Sequence, residues 1–456
     1  MSIPNQNPSE SMDTCVKDPN PCRVIGVLDD GVASLSPTAL AYLRSADVVI
    51  GGARTLALLG GEFKSGAVRH DLTGKLKEVP EWVRAARADH LACVVLATGD
   101  PLCHGIAPYL AQHLCVQVLD ILPNLSTLQL ACARIGLPWQ DARIVSVHAR
   151  DAGEWMRGSA PSHGLYALAQ AARQHPRLLV LTSPDNSPDR IARLLLAEGL
   201  GDDFHMAVAE NLLQPEERVL AELSPQEAAE MRFAELNVVL LWRVTPAPRP
   251  VRFGLADSEF VQRQPEKGLI TKQEVRAVSL ARLQLRADSV VWDIGAGSGS
   301  VGLEAARLCQ QGHVYAIEKN EADHAIAGQN HVAFGVSNYS LFHGKAPEGL
   351  DAWPDPDAVF VGGSGGELST LIEGVMRRLR PQGALVMNFV TLENLATATA
   401  ALQALEGEGV SWDVLQLQAA RSKPILHMHR MAAENPVWIV CARRDAAAVK
   451  TEAADA

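Results

Sequence analysis

The stretch Val290-Val-Trp-Asp-Ile-Gly-Ala-Gly-Ser-Gly-Ser-Val-Gly-Leu-Glu304 decides how the second half of this sequence folds. A short apolar run ends in Asp293, and glycines follow at alternate positions, Gly295, Gly297 and Gly299, before an amphipathic segment begins. This order predicts a strand, a tight turn and a helix. Glycine reaches positive φ at little cost, and without a Cβ it lets a ligand lie against the backbone. Amides at the start of a helix suit polar or anionic groups, so the turn predicts a ligand site.

The glycine spacing departs from the dinucleotide pattern G-x-G-x-x-G, because Ser300 stands where the third glycine would be. A second predicted strand, residues 312–319, contains the acid Glu318 near its end, where a ribose diol would lie. This spacing resembles the Rossmann-like methyltransferases that use S-adenosylmethionine. In that family the glycines pass under the methionine part and the acid binds both ribose hydroxyls. The alternative is a turn that only packs a strand on a helix.

The whole chain has 456 residues, which indicates two domains. Its hydrophobic content of 47% with 20% charged residues is typical of a soluble globular protein. No apolar run approaches the roughly 20 residues of a membrane span, and residues 1–21 lack the apolar core of a signal peptide. We therefore expect a cytoplasmic protein with disordered tails at 1–21 and 445–456.

The eight cysteines include no C-x-x-C pair, which favours reduced thiols over disulfides or zinc. His427 and His429 form a short pair without a third ligand nearby, so no metal site is predicted. The net charge of -11 disfavours a nucleic-acid ligand, which normally needs a basic face. A negatively charged small molecule can still be the substrate if basic residues cluster at its binding site.

The first half alternates apolar strands with helix signals, which predicts an α/β domain. Ser36-Pro37 and Ser224-Pro225 are helix starts, and the latter forms a capping box with Glu227. Strands are predicted at residues 23–28, 48–50, 92–97, 115–119, 143–147, 177–181, 206–210, 218–220 and 237–242. A proline-spaced linker at 244–253 separates a first domain at 22–243 from a second at 254–444.

The second half begins with a capping box of Thr271 and Glu274, which predicts a helix through Leu285. Further strands are predicted at residues 339–342, 358–361 and 384–389, and the last two, 412–419 and 437–441, suit an antiparallel hairpin. Basic residues gather between these last strands, where a substrate with many carboxylates would need them. The alternative for such a cluster is a solvated charged surface.

Nearly the whole ordered chain resembles one family, the bifunctional precorrin-6Y C5,15-methyltransferases (decarboxylating) of cobalamin biosynthesis. The first half resembles the tetrapyrrole methylases in residues 26–31, 46–56, 98–101 and 123–129. The second half is similar to the family's decarboxylating part in residues 268–276, 293–299 and 360–366. The resemblance implies a tetrapyrrole methylase fold followed by a Rossmann-like methyltransferase fold, both of the α/β class.

The resemblance also implies two S-adenosylmethionine sites and a precorrin substrate. The first domain would methylate C5, and the second would remove the ring C acetate carboxyl group and methylate C15, giving precorrin-8. A homo-oligomer is expected. Two alternatives stay open: an RNA methyltransferase, and a single active second half with a non-catalytic first half that binds intermediates.

No side chain is assigned a catalytic role, because a sulfonium methyl group is already electrophilic and mainly needs alignment. The residues assigned to cofactor binding in the second half are Asp293, Gly295, Ala296, Gly297, Ser298, Gly299, Glu318, Lys319, Thr271, Gly344, Lys345 and Ala346. Those assigned to cofactor binding in the first half are Gly99, Asp100, Pro101, Leu102 and Ser126. Those assigned to substrate binding are Gly362, Gly363, Ser364, Gly365, Lys272, Arg276, Arg421 and Lys423.

Overall fold

The computed structural model describes residues 20–148, 151–245, 251–263, 270–363 and 366–445. These residues form two compact units. Those of the first unit fall within Met1–Arg150, His175–Ala192 and Phe204–Val244, and those of the second within Asp151–Gln174, Arg193–Asp203 and Thr245–Ala456. Two segments of the predicted first domain therefore group with the second unit, and the domain boundaries stay a prediction. Most of both predicted tails lies outside the described residues.

The first sheet of the first unit is parallel, with the strand order β3-β2-β4-β1-β5. Its strands are β1 (Cys22–Val27), β2 (Val48–Gly51), β3 (Val68–Asp71), β4 (Cys93–Thr98) and β5 (Leu119–Leu122). β1, β2 and β4 are almost wholly buried, as continuous apolar runs in a parallel sheet predict.

The helices between these strands start and stop at recognisable signals. They are α1 (Pro37–Ser45), α2 (Ala53–Leu58), α3 (Val79–Ala88), α4 (Ala107–Leu114) and α5 (Thr127–Ile135). The predicted Ser36 cap is confirmed, since its side chain accepts a hydrogen bond from the amide of Ala39. α5 begins with a capping box of Ser126 and Gln129 and ends at Gly136, whose φ of 77° only glycine adopts readily.

The second sheet of this unit has the order β6-β7-β10-β8-β9, and only β6 and β7 are parallel. Its strands are β6 (Arg143–Ser146), β7 (Arg177–Leu181), β8 (Phe204–Glu210), β9 (Arg218–Leu223) and β10 (Asn237–Arg243). The helices of this part of the chain are α6 (Tyr166–Gln174), α7 (Pro188–Ala197) and α8 (Pro225–Glu230). The predicted capping box of Ser224 and Glu227 starts α8.

The second unit is built on a seven-stranded sheet with the order β13-β12-β11-β14-β15-β19-β16. The strands of this unit are β11 (Val290–Ile294), β12 (His313–Glu318), β13 (Tyr339–His343), β14 (Ala358–Val361), β15 (Ala384–Phe389), β16 (Val410–Leu417), β17 (Ala420–Ile425), β18 (Met428–Ala433) and β19 (Val437–Arg444). β19 runs antiparallel to β15 and β16, as the sequence predicted, and β17 and β18 form a separate hairpin. The strand order reverses between β11 and β14, so ligands are expected beyond the carboxyl ends of these strands.

Helices cover both faces of this sheet. They are α9 (Gln273–Leu283), α10 (Ser300–Leu308), α11 (Glu321–Phe334), α12 (Leu368–Arg378) and α13 (Leu392–Gln403). Alternate residues of β11 enter different cores: Trp292 and Ile294 pack with α12 and α13, and Val291 packs with α9 and α10. The predicted α/β class is confirmed. No helix in the described part of the chain is long and apolar enough to cross a membrane.

Two local predictions were wrong. The strand predicted at 115–119 lies at Leu119–Leu122, because Cys115 has a φ of 69° and a 3-10 turn follows it. The capping box of Thr271 and Glu274 does not form, since Lys272 is the N-cap and no side chain caps the helix. The Glu274 carboxylate pairs with Arg421 instead.

Candidate cofactor and substrate sites

The turn after β11 contains three glycines with positive φ: Gly295 at 73°, Gly297 at 56° and Gly299 at 77°. The amide of Gly295 donates to the carbonyl oxygen of Ile317 in β12 over 2.9 Å. A Cβ on Gly295 would lie 2.7 Å from the carbonyl oxygen of Gly363, just beyond β14. Backbone from three neighbouring strands meets at this point, so a side chain at position 295 has no room.

A cavity of about 640 Å³ opens beside this turn, beyond the carboxyl ends of β11, β12 and β14. The predicted site residues that line it are Thr271, Lys272, Gly295, Ala296, Gly297, Glu318, Lys319, Gly344, Lys345, Ala346, Gly362 and Gly363. Its volume suits one small organic ligand, for which sites of about 300–1,000 Å³ are usual. The structure therefore brings together most of the residues that the sequence assigned to this half.

Glu318 is held rigidly in the wall of this cavity. The amide of Gly297 donates to its Oε2 over 2.9 Å, and the amide of Asn320 donates to its Oε1 over 2.8 Å. A carboxylate oxygen can accept more than one hydrogen bond, so both oxygens keep acceptor capacity toward the cavity. This arrangement fits two neighbouring hydroxyl groups of a ribose.

Three residues assigned to the cofactor shape the turn from behind and do not line the cavity: Asp293, Ser298 and Gly299. Asp293 is 1% exposed, and its Oδ2 accepts a hydrogen bond from the amide of Gly302 over 3.0 Å. Burial raises the pKa of Asp293 to about 7. The Ser298 carbonyl oxygen accepts from the side chain of Asn330, and Gly299 is the N-cap of α10. In the structure these three residues hold the turn in place, and their contact with the cofactor stays a prediction.

Other lining residues were missed by the sequence analysis. They include Arg263, Asn320, Asp323, Phe360, Asn388, Val390, Leu417, Asn435 and Val437. The sequence contained one signal for them, because Asn388 interrupts the apolar strand Ala384–Phe389 with a polar side chain. Leu417, Asn435 and Val437 flank the hairpin of β17 and β18. They could not have been found from the sequence, since they reach the cavity only through the pairing of β16 with β19.

Arg276 was assigned to substrate binding, and the structure corrects this. Its side chain is fully buried, and its Nε donates to Glu304 Oε1 over 2.6 Å. Its terminal nitrogens donate to Asp257 Oδ1 over 3.2 Å and to the carbonyl oxygens of Thr271 and Leu255. An arginine with its donors engaged by protein groups stabilises the fold and is not free to bind a substrate.

Arg421 and Lys423 also do not line the cavity. Arg421 donates to Glu274 over 3.0 and 2.5 Å and to Asp257 Oδ2 over 3.3 Å, so it links β17 to α9. Hydrogen bonding to Arg421 lowers the pKa of Glu274, which does line the cavity. Lys423 is exposed and lies opposite Arg430 in the hairpin. The predicted contacts of Ser364 and Gly365 lie outside the described residues.

Lys272 and Lys345 do line the cavity. The Nζ of Lys272 lies 4.0 Å from Asp257 Oδ2, and the Nζ of Lys345 donates to Glu367 Oε1 over 3.0 Å. Both lysine side chains are about two-fifths exposed, so their ion pairs contribute little and can be exchanged for a substrate carboxylate. Local positive charge therefore exists at the cavity despite the acidic chain.

In the first unit, loops beyond β1, β4 and β5 meet around Gly99. A Cβ on Gly26 would lie 2.2 Å from the Gly99 carbonyl oxygen, and Gly99 itself has a φ of 66°. The Asn124 side chain donates to the Gly26 carbonyl oxygen over 3.2 Å and so ties the loop after β5 to the end of β1. Asp100 Oδ1 accepts from the amide of Leu102 over 2.9 Å, so it anchors its own loop.

The remaining predicted residues of this loop cluster differ in accessibility. Pro101 is buried, whereas Leu102 is 54% exposed. Ser126 is 7% exposed, and its hydroxyl accepts from the amide of Gln129 as a helix cap. The five predicted residues thus lie at one end of the first sheet, and the Ser126 side chain caps α5.

Comparisons with known proteins match the two halves separately. Residues 22–225 match the family described as tetrapyrrole (corrin/porphyrin) methylases, and residues 264–443 match the family described as precorrin methyltransferase domain. The fold and its sites therefore define a two-part methyltransferase of the tetrapyrrole class.

Similarity to individual proteins narrows this class. A precorrin-6Y C(5,15)-methyltransferase (decarboxylating) from Sinorhizobium sp is 32% identical over 405 residues, which cover 88% of this chain and 91% of that protein. A cobalt-precorrin-6B C(15)-methyltransferase (decarboxylating) from Salmonella typhimurium is 38% identical over 176 residues, 39% of this chain and 90% of that protein. The crystal structure of a precorrin-6Y C5,15-methyltransferase from Geobacter metallireducens GS-15 is 41% identical and covers 43% of this chain and 100% of that one, with a TM-score of 0.40. The chain belongs to the family of decarboxylating precorrin-6Y C(5,15)-methyltransferases.

Proposed function

We propose that this chain methylates a precorrin at C5 and C15 and removes the carboxyl group of its ring C acetate, giving precorrin-8. The observation that carries this proposal is the Glu318 carboxylate, which two backbone amides hold beside the glycine turn in the cavity. Family membership supplies the substrate class, since the Sinorhizobium relative is named for both methylations and for decarboxylation.

The residues of the second half fit S-adenosylmethionine. Glu318 would accept hydrogen bonds from the ribose hydroxyls, and the backbone of Gly295 to Gly297, which lines the cavity, would lie against the methionine part. When bound, this cofactor supplies an electrophilic methyl group. The protein then has to hold the accepting carbon in line with the methyl group and exclude water from the cavity.

For the first half we propose a second S-adenosylmethionine site at the loops around Gly99, serving C5. Its support is the position of these loops, because Gly99 follows β4 and Asn124 follows β5 at the carboxyl ends of parallel strands, where α/β sheets usually bind their ligands. The alternative is a first half that binds intermediates without catalysis. Calorimetric titration of the full chain with S-adenosylmethionine separates the two: a stoichiometry of two sites supports the proposal, and one site supports the alternative.

The overall reaction is tested by incubating the chain with precorrin-6B and S-adenosylmethionine and measuring the mass of the product by mass spectrometry. We expect the gain of two methyl groups and the loss of carbon dioxide. Unchanged precorrin together with methylated RNA in a parallel incubation would overturn the proposal. The net charge of -11 argues against that outcome, because RNA binding relies on positive surface charge.

We also propose that the protein is a cytoplasmic homo-oligomer. The hairpin of β17 and β18 exposes Ile425, Leu426, Met428 and Met431, and Leu426 is 91% exposed. Ile425 and Met428 lie opposite each other beside Leu426 at the tip of the hairpin, and apolar side chains exposed together usually mark a contact with another protein surface. Light scattering on the purified chain measures the assembly, and a monomer at all concentrations would contradict it.

A further inference from the structure

We propose that Asn388 binds and orients the carboxylate that leaves the precorrin as carbon dioxide. This assignment rests on the proposed function and adds a substrate-contacting residue to it. Asn388 is the fifth residue of β15 and lines the cavity, and no role was predicted for it from the sequence.

The position of Asn388 is unusual for its strand. Side chains of alternate residues share one face of a strand, and the other residues of this face, Ala384 and Val386, are 1% and 0% exposed in an apolar core. An apolar side chain would be expected at position 388 as well. Asn388 instead places an amide where this face of β15 leaves the core and meets the cavity.

The amide of Asn388 is fixed by a buried partner. Ser279 on α9 is 0% exposed, and its hydroxyl donates to the carbonyl oxygen of Val275 over 2.8 Å. The hydroxyl oxygen accepts from Asn388 Nδ2 over 2.9 Å, and it lies 3.2 Å from Asn388 Oδ1. The single hydroxyl proton can serve one acceptor at a time. Among the described residues, the second N–H of Asn388 has no protein acceptor and is available to a ligand.

Part of the cavity wall is apolar, since Val275, Phe360, Leu417 and Val437 line the same cavity as Asn388. A carboxylate placed there loses water and meets a neutral donor, which fixes its orientation without the stabilisation that a cation would give its charged form. Loss of carbon dioxide converts the charged carboxylate to a neutral product, so such a site favours the transition state over the bound acid.

The bond changes balance without an oxidant or reductant. The bond between the acetate methylene carbon and the carboxylate carbon breaks, carbon dioxide leaves, and the electron pair of that bond passes into the macrocycle. The pair is then available at the meso carbon C15 for the bond to the donated methyl group, whose former bonding pair stays with the donor sulfur. The methylene carbon that remains takes up one proton and becomes a methyl group, and C15 releases its hydrogen as a proton after methylation. A neutral donor that aligns the breaking bond with the macrocycle is the contribution of Asn388.

The full chain carrying Asn388→Leu, which keeps the size and removes the amide, tests this role. We expect carbon dioxide release from precorrin-6B to fall about 100-fold, because a reacting group that is no longer held in line can lose that much. C5 methylation in the same chain and S-adenosylmethionine affinity should change less than about twofold. Asn388→Asp should abolish release through charge repulsion, and Ser279→Ala should lower kcat about tenfold with little change in KM, because the amide would no longer be fixed.

The outcomes separate this role from the proposed function. If wild-type protein releases carbon dioxide and Asn388→Leu releases it equally fast, the role of Asn388 is overturned and the proposed function stands. If wild-type protein releases none, the proposed function fails and the role fails with it. An equal loss of cofactor affinity and of carbon dioxide release in Asn388→Leu would assign the residue to the cofactor and overturn its role toward the carboxylate. Should Asn388→Leu fail to fold, Ser279→Ala with an unaltered KM and kcat would refute the proposal by itself.

Discussion

The amide of Gly297 donates to the Oε2 of Glu318 over 2.9 Å, so the glycine turn after β11 and the acid at the end of β12 form one unit. The second carboxylate oxygen accepts from the amide of Asn320, two residues further on. The backbone thus sets the direction of the carboxylate before any ligand arrives. A preorganised acceptor of this kind loses little entropy on binding.

Replacing Glu318 with glutamine should weaken cofactor binding at the second-half site by about 10- to 100-fold, because hydrogen bonds to a charged acceptor are replaced by weaker ones. The glutamine NH₂ group would also face a backbone N–H. Calorimetric titration with S-adenosylmethionine measures the change. Glu321→Gln is the matched control, since Glu321 is exposed at the start of α11 and does not line the cavity. Equal affinities of the two variants would remove Glu318 from the cofactor site.

Gly295→Ala should abolish binding at that site and lower the free energy of unfolding by about 1–3 kcal/mol. The new Cβ would lie 2.7 Å from the Gly363 carbonyl oxygen, and the φ of 73° disfavours any side chain. Gly328→Ala serves as control, because Gly328 lies within α11 with nothing within 4 Å of its Cβ position and alanine favours helices. The melting temperatures of the two variants, measured with and without S-adenosylmethionine, give both the stability and the binding. A Gly295→Ala protein that melts and binds like Gly328→Ala would contradict the packing described.

The sequence predicted the second half well where local signals and the fold agree. The strand, turn and helix around Gly295 follow from an apolar run, glycines and a helix start, all within fifteen residues of chain. The alternation of strands and helices likewise predicted the α/β class. Such features are local, so neighbouring residues alone determine them.

Charged side chains were assigned less accurately, because charge alone does not say whether a partner lies in the fold or in solution. Arg276 and Arg421 looked like substrate ligands, yet their partners Glu304, Asp257 and Glu274 lie elsewhere in the second half of the chain. Glu304, the partner of Arg276, is the last residue of the glycine-turn stretch at residues 290–304, and no role was predicted for it. Pairing between distant residues depends on tertiary structure and could not be inferred from spacing.

Arg276→Met should therefore destabilise the second half and not act as a substrate-binding defect. Removing the guanidinium leaves the Glu304 carboxylate fully buried without its cation, which typically costs about 3–5 kcal/mol. Urea unfolding followed by tryptophan fluorescence measures the loss. Lys423→Gln, at an exposed hairpin position, should change stability by less than about 0.5 kcal/mol. A stable Arg276→Met protein with a raised KM for the precorrin would restore the residue to the substrate site.

The stability of the second half should fall as pH rises from about 4 to 7, owing to Asp293. Burial raises the pKa of Asp293 in the folded chain to about 7, above its value of about 4 in the unfolded chain. Between these values the folded state holds a proton that the unfolded state has released, so each rise in pH favours unfolding. Below about pH 4 both states are protonated, and above about pH 7 the full destabilisation is present.

Asp293→Asn lacks this proton and keeps an oxygen to accept from the amide of Gly302. Its stability relative to wild type should rise by up to about 4 kcal/mol between pH 4 and pH 7. Denaturant midpoints at a series of pH values give the difference. Asp288→Asn, at an exposed position just before β11, is the control, and its stability should change with pH in the same way as that of the wild type. Parallel curves for Asp293→Asn would show that this carboxyl group is ionised in the folded chain.

A precorrin whose ring C acetate is amidated should resist methylation at C15. An amide cannot leave as carbon dioxide, so the electron pair that C15 would donate never enters the macrocycle. Methylation at C5 draws on no such step, and it should proceed at the normal rate in the same incubation. Mass spectrometry would then find one added methyl group on the amidated substrate and two on the free acid. Two methyl groups on the amidated substrate would show that C15 accepts its methyl group independently, and the coupling of decarboxylation to methyl transfer would be wrong.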